Sequence, residues 1–365
     1  MNALPSCVAR ALADPLTDAR VRAMRGERIV GMVGNDMPVE LVLAAGARPV
    51  TLPSCADRPT PQADAVLEPS FSPEVRSIVE QWLTGQFEFM AAVVFSRSDD
   101  SVQRSYYYLC ELQRTAAAGG PRPLLFDVAK IPRRSSLAHT ETAVRLLASE
   151  LGTEPTQLRA AIHTCNRRRH LLHQLRQLRR SDRPPAGSVC MQLLSAADLL
   201  PDATFDEQWA AWLQSEFAQH RGPRLLLAGT TPPDARLHTA VEGAGGCVVA
   251  EVGGHPGIAL GAPITPVSEP FRALAEHYHS LETGPRSFAA LPDQVCTAAR
   301  ECRVDGVVFW LIEADEALAW QAPPVAKALG REGIPLLALT GCRWDASDAA
   351  PEQIAQFTRS LSRAP

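Results

Sequence analysis

The 365-residue chain has very little lysine and no long apolar run. Lys130 and Lys327 are its only lysines among 36 basic side chains, an imbalance that we attribute to the base composition of the gene. No stretch approaches the roughly 18 apolar residues of a membrane-spanning helix, and the N-terminal segment lacks the apolar core of a signal peptide. A net charge of −4 argues against general nucleic-acid binding. We therefore expect a cytoplasmic protein that contacts neither membrane nor nucleic acid.

The nine cysteines form no CxxC pair and no cysteine–histidine spacing of the kind that binds zinc. We expect most of them to be small buried hydrophobic residues rather than disulfide or metal ligands. The sequence also lacks a phosphate-cradling GxxxxGKS or GxxxxGKT loop, an HExxH helix and a GxSxG nucleophile elbow. No metal site is predicted, and none of these catalytic classes is indicated.

The most informative stretch opens with an unbroken apolar run of strand length, from Gly306 to Ile312. Such runs are typical of strands buried on both faces of a parallel sheet. A polar loop, 313–316, follows, Pro323 and Pro324 fit the first turn of a helix, and Pro335 opens a second apolar run. The pattern predicts a strand–helix–strand unit. Because ligands bind at the carboxyl ends of the strands in such units, the loop 313–316 is a candidate ligand-binding element.

The sequence also contains an internal duplication. A strand, a proline-initiated helix, a glycine and a short strand occur in this order between residues 28 and 52, and the order is repeated between residues 224 and 251. The strand that ends at Phe95 and precedes Ser98-Asp99 likewise matches the strand through Phe309 that precedes Ala314-Asp315. From about residue 136 to residue 218, the apolar spacing is that of helices alone.

This alternation predicts an α/β protein with two Rossmann-like, flavodoxin-like parallel-sheet lobes joined by a helical segment. We expect an N-terminal helix over 1–26, a first lobe over 27–135, a helical bridge over 136–221 and a second lobe over 222–365. Two such lobes leave a cleft between their strand ends, and ligands usually bind in clefts of this kind.

The helical bridge is rich in arginine. An apolar stripe runs along it, and six arginines crowd its other faces: Arg167, Arg168, Arg169, Arg176, Arg179 and Arg180. The pattern favours a solvated face of a long amphipathic helix. An anion-binding face is the alternative.

Four phrases of the sequence occur in a recognisable order. They are Pro38-Val-Glu-Leu-Val-Leu-Ala-Ala-Gly46, Val93-Val-Phe-Ser-Arg-Ser-Asp99, Ala161-Ile-His-Thr-Cys-Asn166 with Arg167 to Arg169, and Asp305-Gly-Val-Val-Phe309 through Gly333-Ile-Pro335. Their order, from about residue 28 to the C-terminus, resembles that of the 2-hydroxyacyl-CoA dehydratase family. That family includes the substrate-binding subunits of ATP-dependent benzoyl-CoA reductase.

The resemblance implies two α/β lobes around a 4Fe-4S cluster that is held by three cysteines beside an acyl-CoA pocket. It also implies a heterodimer that receives electrons from an ATP-driven activator. Iron–sulfur clusters need soft thiolate ligands. At the three family positions this chain has Ser98-Asp99, the loop 253–257 with His255, and Ala314-Asp315. We therefore expect this chain to bind no cofactor of its own, and the 4Fe-4S cluster to lie only in a partner subunit.

Two functions follow from this expectation. In the first, the chain is the cluster-free partner of a cluster-bearing paralogue in a heterodimer. It then contributes to an acyl-CoA pocket of a dehydratase-like lyase, or of a benzoyl-CoA reductase-like enzyme, and is not catalytic alone. In the second, a repurposed chain, alone or as a homodimer, binds acyl-CoA or carries out redox-independent lyase chemistry. A cluster held in an unexpected way is a third alternative.

Two groups of residues are candidates for these roles. An aspartate and a histidine at strand ends can act as acid and base, and the candidate catalytic residues are Ser98, Asp99, His255 and Asp315. Capping of helix N-termini is the competing role for Ser98, Asp99 and Asp315. Arginine binds phosphate through bidentate hydrogen bonds, and the candidates for the phosphates of CoA are Arg97, Arg104, Arg167 and Arg168.

Overall fold

The computed structural model describes residues 4–97, 99–200, 202–253, 261–265, 269–281 and 290–361. Its framework is two four-stranded sheets in which every strand pairing is parallel. The first sheet contains β1 (Ile29–Val33), β2 (Arg48–Thr51), β3 (Ala92–Ser96) and β4 (Arg122–Phe126). The second contains β5 (Arg224–Gly229), β6 (Cys247–Gly253), β7 (Gly306–Ile312) and β8 (Leu336–Cys342). The predicted α/β class with two parallel sheets is confirmed.

The two sheets have the same topology. Their strand orders are β2-β1-β3-β4 and β6-β5-β7-β8, as the internal duplication predicts. In each sheet the chain reverses its direction of travel between the two central strands, which are β1 and β3 in one and β5 and β7 in the other. The crevice outside the carboxyl ends of such a strand pair is the usual ligand site of open α/β sheets.

Helices precede, connect and follow the strands. In the first half of the chain they are α1 (Ser6–Ala13), α2 (Thr17–Met24), α3 (Val39–Ala44), α4 (Pro61–Val66), α5 (Pro73–Leu83), α6 (Asp100–Arg114), α7 (Arg134–Leu151) and α8 (Pro155–Arg180). The remainder are α9 (Gly187–Leu199), α10 (Ala203–Leu213), α11 (Arg236–Gly243), α12 (Pro270–Ser280), α13 (Leu291–Glu301), α14 (Glu316–Ala319), α15 (Ala322–Arg331) and α16 (Ala350–Leu361). Within the described ranges, no helix combines the length and the apolarity that crossing a membrane requires.

The N-terminal segment forms two helices rather than the single one that we expected. Pro15 separates α1 from α2. Proline has no N–H to continue the hydrogen bonds of a helix, and its ring disfavours helical geometry at the preceding residue. The two short helices pack differently, because α1 contacts α9 whereas α2 contacts β1.

Helix α12 belongs to the connection between β6 and β7, yet it packs with the first sheet. Leu274, Ala275 and Tyr278 are buried in the same apolar cluster as Phe126 and the inner face of α7. The rings of Tyr278 and Phe126 meet edge to face, with centroids 6.2 Å apart. The second half of the chain thus completes the core around the first sheet. The limits that we assigned to the lobes stay a prediction.

Candidate functional site

The carboxyl ends of β5 and β7 are joined by a hydrogen bond between side chains. Thr230 Oγ1 donates to Asp315 Oδ2 at 2.8 Å, and the backbone N–H of Ile312 donates to Thr230 Oγ1 at 3.3 Å. Burial raises the pKa of the Asp315 carboxyl above its ordinary value, while the hydrogen bond from Thr230 opposes that rise. Asp315 therefore lies at the crevice of the second sheet, as the sequence predicted for a strand-end carboxylate.

The equivalent gap in the first sheet is closed by Asp36 and Ser96, which are both buried. Ser96 Oγ donates to Asp36 Oδ1 at 2.5 Å. Lys130 Nζ lies 3.1 Å from Asp36 Oδ2, at ion-pair distance, and donates to the Tyr278 carbonyl at 2.8 Å. Gly34 permits the close approach of Ser96 to this turn of the chain. A Cβ at Gly34, whose φ is +114°, would lie 2.6 Å from Ser96 Cβ.

A second buried ionic group contains Glu40, which lies in the first turn of α3. Arg169 NH2 donates to Glu40 Oε1 at 2.6 Å, and the Tyr278 hydroxyl donates to Glu40 Oε2 at 2.8 Å. The side chains of Glu40 and Arg169 are both fully enclosed. Burial alone would raise the pKa of Glu40, but the Arg169 charge and the hydrogen bonds outweigh it and lower that pKa. Glu40 is therefore an ionised carboxylate inside the protein.

The second sheet contains a matching group. Arg179 NH1 and NH2 each lie 2.6 Å from a different oxygen of Glu251, and His238 Nε2 lies 2.8 Å from Glu251 Oε1. Burial opposes ionisation of Glu251, yet Arg179 and His238 hold its pKa well below the ordinary value. Because α8 carries both Arg169 and Arg179, one helix neutralises two buried carboxylates, Glu40 on α3 and Glu251 in β6.

These ion pairs change the interpretation of the arginine-rich helix. Arg169 and Arg179 are buried and contact internal carboxylates, so they belong to neither a solvated face nor an anion-binding one. Arg168 also points inward: it contacts Asp206 at 2.5 Å and the Ala197 carbonyl at 2.7 Å. Of the arginine triplet, Arg167 alone is exposed.

Arg97 and Arg104 lie on the carboxyl side of β3. Arg104 is bound to Glu68 at 2.5 Å and stacks over the Phe71 ring at 4.2 Å. Arg97 donates to Asp127. Since Arg168 contacts α9 and α10 instead, the structure does not gather the four candidate arginines around one shared partner.

Asp127 and His139 form a carboxylate–imidazole pair next to Arg97. His139 Nε2 lies 3.1 Å from Asp127 Oδ2, and the side chains of Arg97, Asp127 and His139 are 36–46% exposed. Asp127 directly follows β4, so the pair is open to solvent at the carboxyl side of the first sheet. The pair has the contacts of an acid–base dyad, in which the carboxylate orients the imidazole.

Three candidate catalytic residues remain, of which the structure describes Asp99. Asp99 caps α6, because its carboxylate accepts a hydrogen bond from the backbone N–H of Val102 at 2.8 Å. This contact is the N-capping role that competed with catalysis for Asp99. Ser98 and His255 lie outside the described residues, and their roles stay predictions.

The cysteines do not fit the ligand set of a cubane cluster. The three strand-end positions carry Ser98, the loop 253–257 and Ala314. Six of the nine cysteines are buried, and burial raises the pKa of Cys190 to about 12 and of Cys342 to about 11. Cluster ligands are thiolates, which need the opposite shift. In the part of the chain that the structure describes, no three His, Cys, Asp or Glu side chains are placed to hold a metal ion.

The sequence interpretation missed the buried ionic residues, although two of them carry a signal. Glu40 is the lone charge in the apolar phrase 38–46, and a charge within a buried helix needs an internal partner. Lys130 is one of two lysines in the chain. Tyr278 carries no such signal, because its partner Glu40 lies 238 residues away.

Comparison with known proteins identifies the family of the chain. Residues 35–358 match the model of a family described as "2-hydroxyglutaryl-CoA dehydratase, D-component". The chain is also 25% identical, over 338 residues, to the Escherichia coli (strain K12) protein named "Putative dehydratase subunit YjiM", and the alignment covers 86% of each chain. The matched range includes every strand of the two sheets except β1, together with α12 and every buried ion pair described above. The chain therefore belongs to the family of the 2-hydroxyglutaryl-CoA dehydratase D-component.

Proposed function

We propose that the chain is a cluster-free subunit of a 2-hydroxyacyl-CoA dehydratase-type lyase and that it pairs with a cluster-bearing paralogue. The observation that carries this proposal is the residue content of the three strand ends, where a member of this family has Ser98, the loop 253–257 and Ala314. None of these supplies a thiolate, and cubane clusters in proteins are held by thiolates.

The surroundings of Ala314 support the same proposal. Asp315, its neighbour, is fixed to Thr230 by the 2.8 Å hydrogen bond that closes the crevice. A hydroxyl and a carboxylate are hard oxygen groups, whereas iron–sulfur clusters select soft sulfur. The site is therefore built for polar contacts rather than for electron transfer.

We also propose that the carboxyl side of the first sheet contributes to acyl-CoA binding. Arg97 is 41% exposed in its side chain and lies at the end of β3, where a phosphate can reach it. Asp127 orients its guanidinium. Arg168 is a weaker candidate, because Asp206 and two backbone carbonyls already accept its hydrogen bonds.

Metal analysis of the anaerobically purified chain tests the proposal. The chain alone should contain no iron or acid-labile sulfide and show no charge-transfer absorption. A tagged cluster-bearing subunit of the same family, co-expressed with it, should co-purify in a 1:1 complex that contains one cluster per heterodimer. Near-stoichiometric iron in the isolated chain, or no complex under anaerobic conditions, would contradict the proposal.

The Asp127–His139 pair favours a second candidate function, redox-independent acid–base chemistry on an acyl-CoA. In this case the isolated chain should dehydrate a 2- or 3-hydroxyacyl-CoA without activator, ATP or reductant. His139→Gln should abolish that activity, whereas His163→Gln, which changes an exposed histidine on α8, should leave it intact. Absence of turnover by the unmodified chain over a panel of hydroxyacyl-CoAs would remove this candidate.

A further inference from the structure

The connection that follows β7 differs from its counterpart in the other sheet. In the first sheet, α6 begins at Asp100, directly after the strand-end residues 97–99. In the second sheet, residues 313–321 separate β7 from α15 and include the extra short helix α14. The duplicated fold therefore carries an insertion at the carboxyl end of a central strand.

The inserted segment contributes little to the core of its own chain. The residues 313–321 are exposed except for Asp315, Leu318 and Gln321, which are partly buried, and Leu318 alone packs against an apolar cluster. Trp320 is 82% exposed, whereas the other five tryptophans are at most 9% exposed. Burial of this indole against another molecule would therefore be favoured by the hydrophobic effect. Tryptophan is also among the residues most enriched as anchors at the centres of protein interfaces.

The charge around Trp320 restricts what can cover it. Glu313, Asp315 and Glu316 precede it, and no arginine or lysine occurs between Arg303 and Lys327. Negative charge disfavours the phosphates of CoA and of anionic lipids. A protein surface with cationic side chains around an apolar pocket is complementary to this segment.

We propose that residues 313–321 are the docking surface for the partner subunit, with Trp320 as the anchor that enters an apolar pocket rimmed by arginine or lysine. This inference rests on the proposed function, because its occupant is the cluster-bearing paralogue. It adds the place of contact, at the carboxyl end of β7 beside Asp315.

Tryptophan fluorescence can follow this surface selectively, because Trp320 is the one tryptophan open to solvent. In the isolated chain, acrylamide should quench a fraction of the emission that disappears in Trp320→Phe. Addition of the purified cluster-bearing subunit should protect that fraction. Protection by phosphatidylglycerol vesicles or by an acyl-CoA in its place, or by raising the concentration of this chain alone, would overturn the proposed occupant.

Affinity measurements separate this inference from the proposed function. Trp320→Ala should weaken binding of the cluster-bearing subunit tenfold or more, and Glu313→Gln with Glu316→Gln should reduce the salt dependence of binding. Met24→Ala, which removes another strongly exposed apolar side chain, on α2, should leave the affinity unchanged. Undiminished binding by Trp320→Ala would overturn the docking surface and leave the partnership standing. Absence of binding by the unmodified chain would overturn both.

Discussion

Ser96 and Asp36 are joined by a 2.5 Å hydrogen bond that closes the gap between β3 and β1, and Thr230 and Asp315 close the gap between β5 and β7 at 2.8 Å. The roles of the strands are exchanged. The hydroxyl belongs to β3 in one sheet and follows β5 in the other, which is the counterpart of β1. Copying of one ancestral motif does not explain such an exchange. A physical requirement explains the pairs instead. A carboxylate at the carboxyl ends of these strands needs a hydrogen-bond donor, and the hydroxyl of the adjacent strand supplies it.

Thr230→Val should destabilise the protein by about 1–2 kcal/mol at neutral pH, because it leaves the Asp315 carboxylate without its hydroxyl donor. The pKa of Asp315, already raised by burial, should rise further. The effect should therefore shrink as the pH is lowered and the carboxyl becomes protonated. Urea denaturation at neutral and at lowered pH measures it, with Thr231→Val as the control. Equal losses in the two variants would argue against a specific role for Thr230.

Arg169→Met should cost about 3–5 kcal/mol of unfolding free energy, because it leaves the enclosed Glu40 carboxylate without its counter-charge. Arg167→Met, on the exposed side of the same helix, should change stability by less than about 0.5 kcal/mol. The double variant Glu40→Gln with Arg169→Met should recover much of the loss. Chemical denaturation of the unmodified protein, Glu40→Gln, Arg169→Met and the double variant gives the coupling energy, and a small coupling would show that the pair is not the source of the effect.

Acid should destabilise the protein through Glu40 and Glu251, whose pKa values are lowered from 4.5 in the folded state. Near that pH the unfolded chain binds more protons than the folded one, so stability rises with pH through this range and is lost as the pH falls. Glu251→Gln should flatten the slope of unfolding free energy against pH between about 5 and 3. Glu352→Gln, which changes an exposed glutamate on α16, should leave the slope as it is.

Asp198 should have the opposite pH dependence. Its Oδ2 is enclosed without a hydrogen-bond partner, and burial raises its pKa from 3.8 to about 7. Between these two values the folded state binds more protons than the unfolded state, so this group's contribution to stability falls as the pH rises. Asp198→Asn should remove that fall, and the exposed control Asp293→Asn should not. A titration of the carboxyl by NMR near pH 4 would contradict the assignment.

Binding of acyl-CoA should distinguish Arg97 from Arg168. Arg97→Ala should weaken binding about tenfold or more, the value of one charge-assisted hydrogen bond. Arg168→Ala should lower stability, because it breaks the contact with Asp206, and should leave the affinity for acyl-CoA unchanged. Calorimetry with a panel of acyl-CoAs, alone and with the cluster-bearing subunit, makes the comparison. If no acyl-CoA binds below millimolar concentration, the pocket assignment fails for this chain.

The sequence predicted the strands well where burial is uniform. The expected strand at 306–312 coincides with β7, and the strand that opens the repeat between residues 224 and 251 is β5, since an apolar run between polar loops has few alternatives in an α/β fold. The connections were also predicted, because proline and glycine mark helix limits. Pro323 and Pro324, which the sequence placed in the first turn of a helix, lie in the first turn of α15.

The ionic interior was not predictable in the same way. Arg169 and Glu40 are 129 residues apart and Tyr278 is 238 residues from Glu40, so no local spacing reveals their contact. The arginine triplet has the pattern of a solvated face, and Arg167 does lie on the exposed side of α8, but Arg168 and Arg169 turn inward to carboxylates from distant parts of the chain. The assignments to Ser98 and His255 stay predictions, and the other two candidates, Asp99 and Asp315, have the contacts reported above.

The position of α12 in the sequence affects how the protein folds during its synthesis on the ribosome. Its residues Leu274 and Tyr278 complete the core around the first sheet, although β4, the last strand of that sheet, is translated long before them. A nascent chain that ends in the helical bridge therefore exposes the apolar face that α12 will cover, and it holds Glu40 without the hydroxyl of Tyr278. The core around the first sheet therefore cannot be completed by the N-terminal half of the chain alone. The final packing of the first sheet requires α12, which is synthesised after β6. A chaperone is therefore most needed between the synthesis of β4 and that of α12.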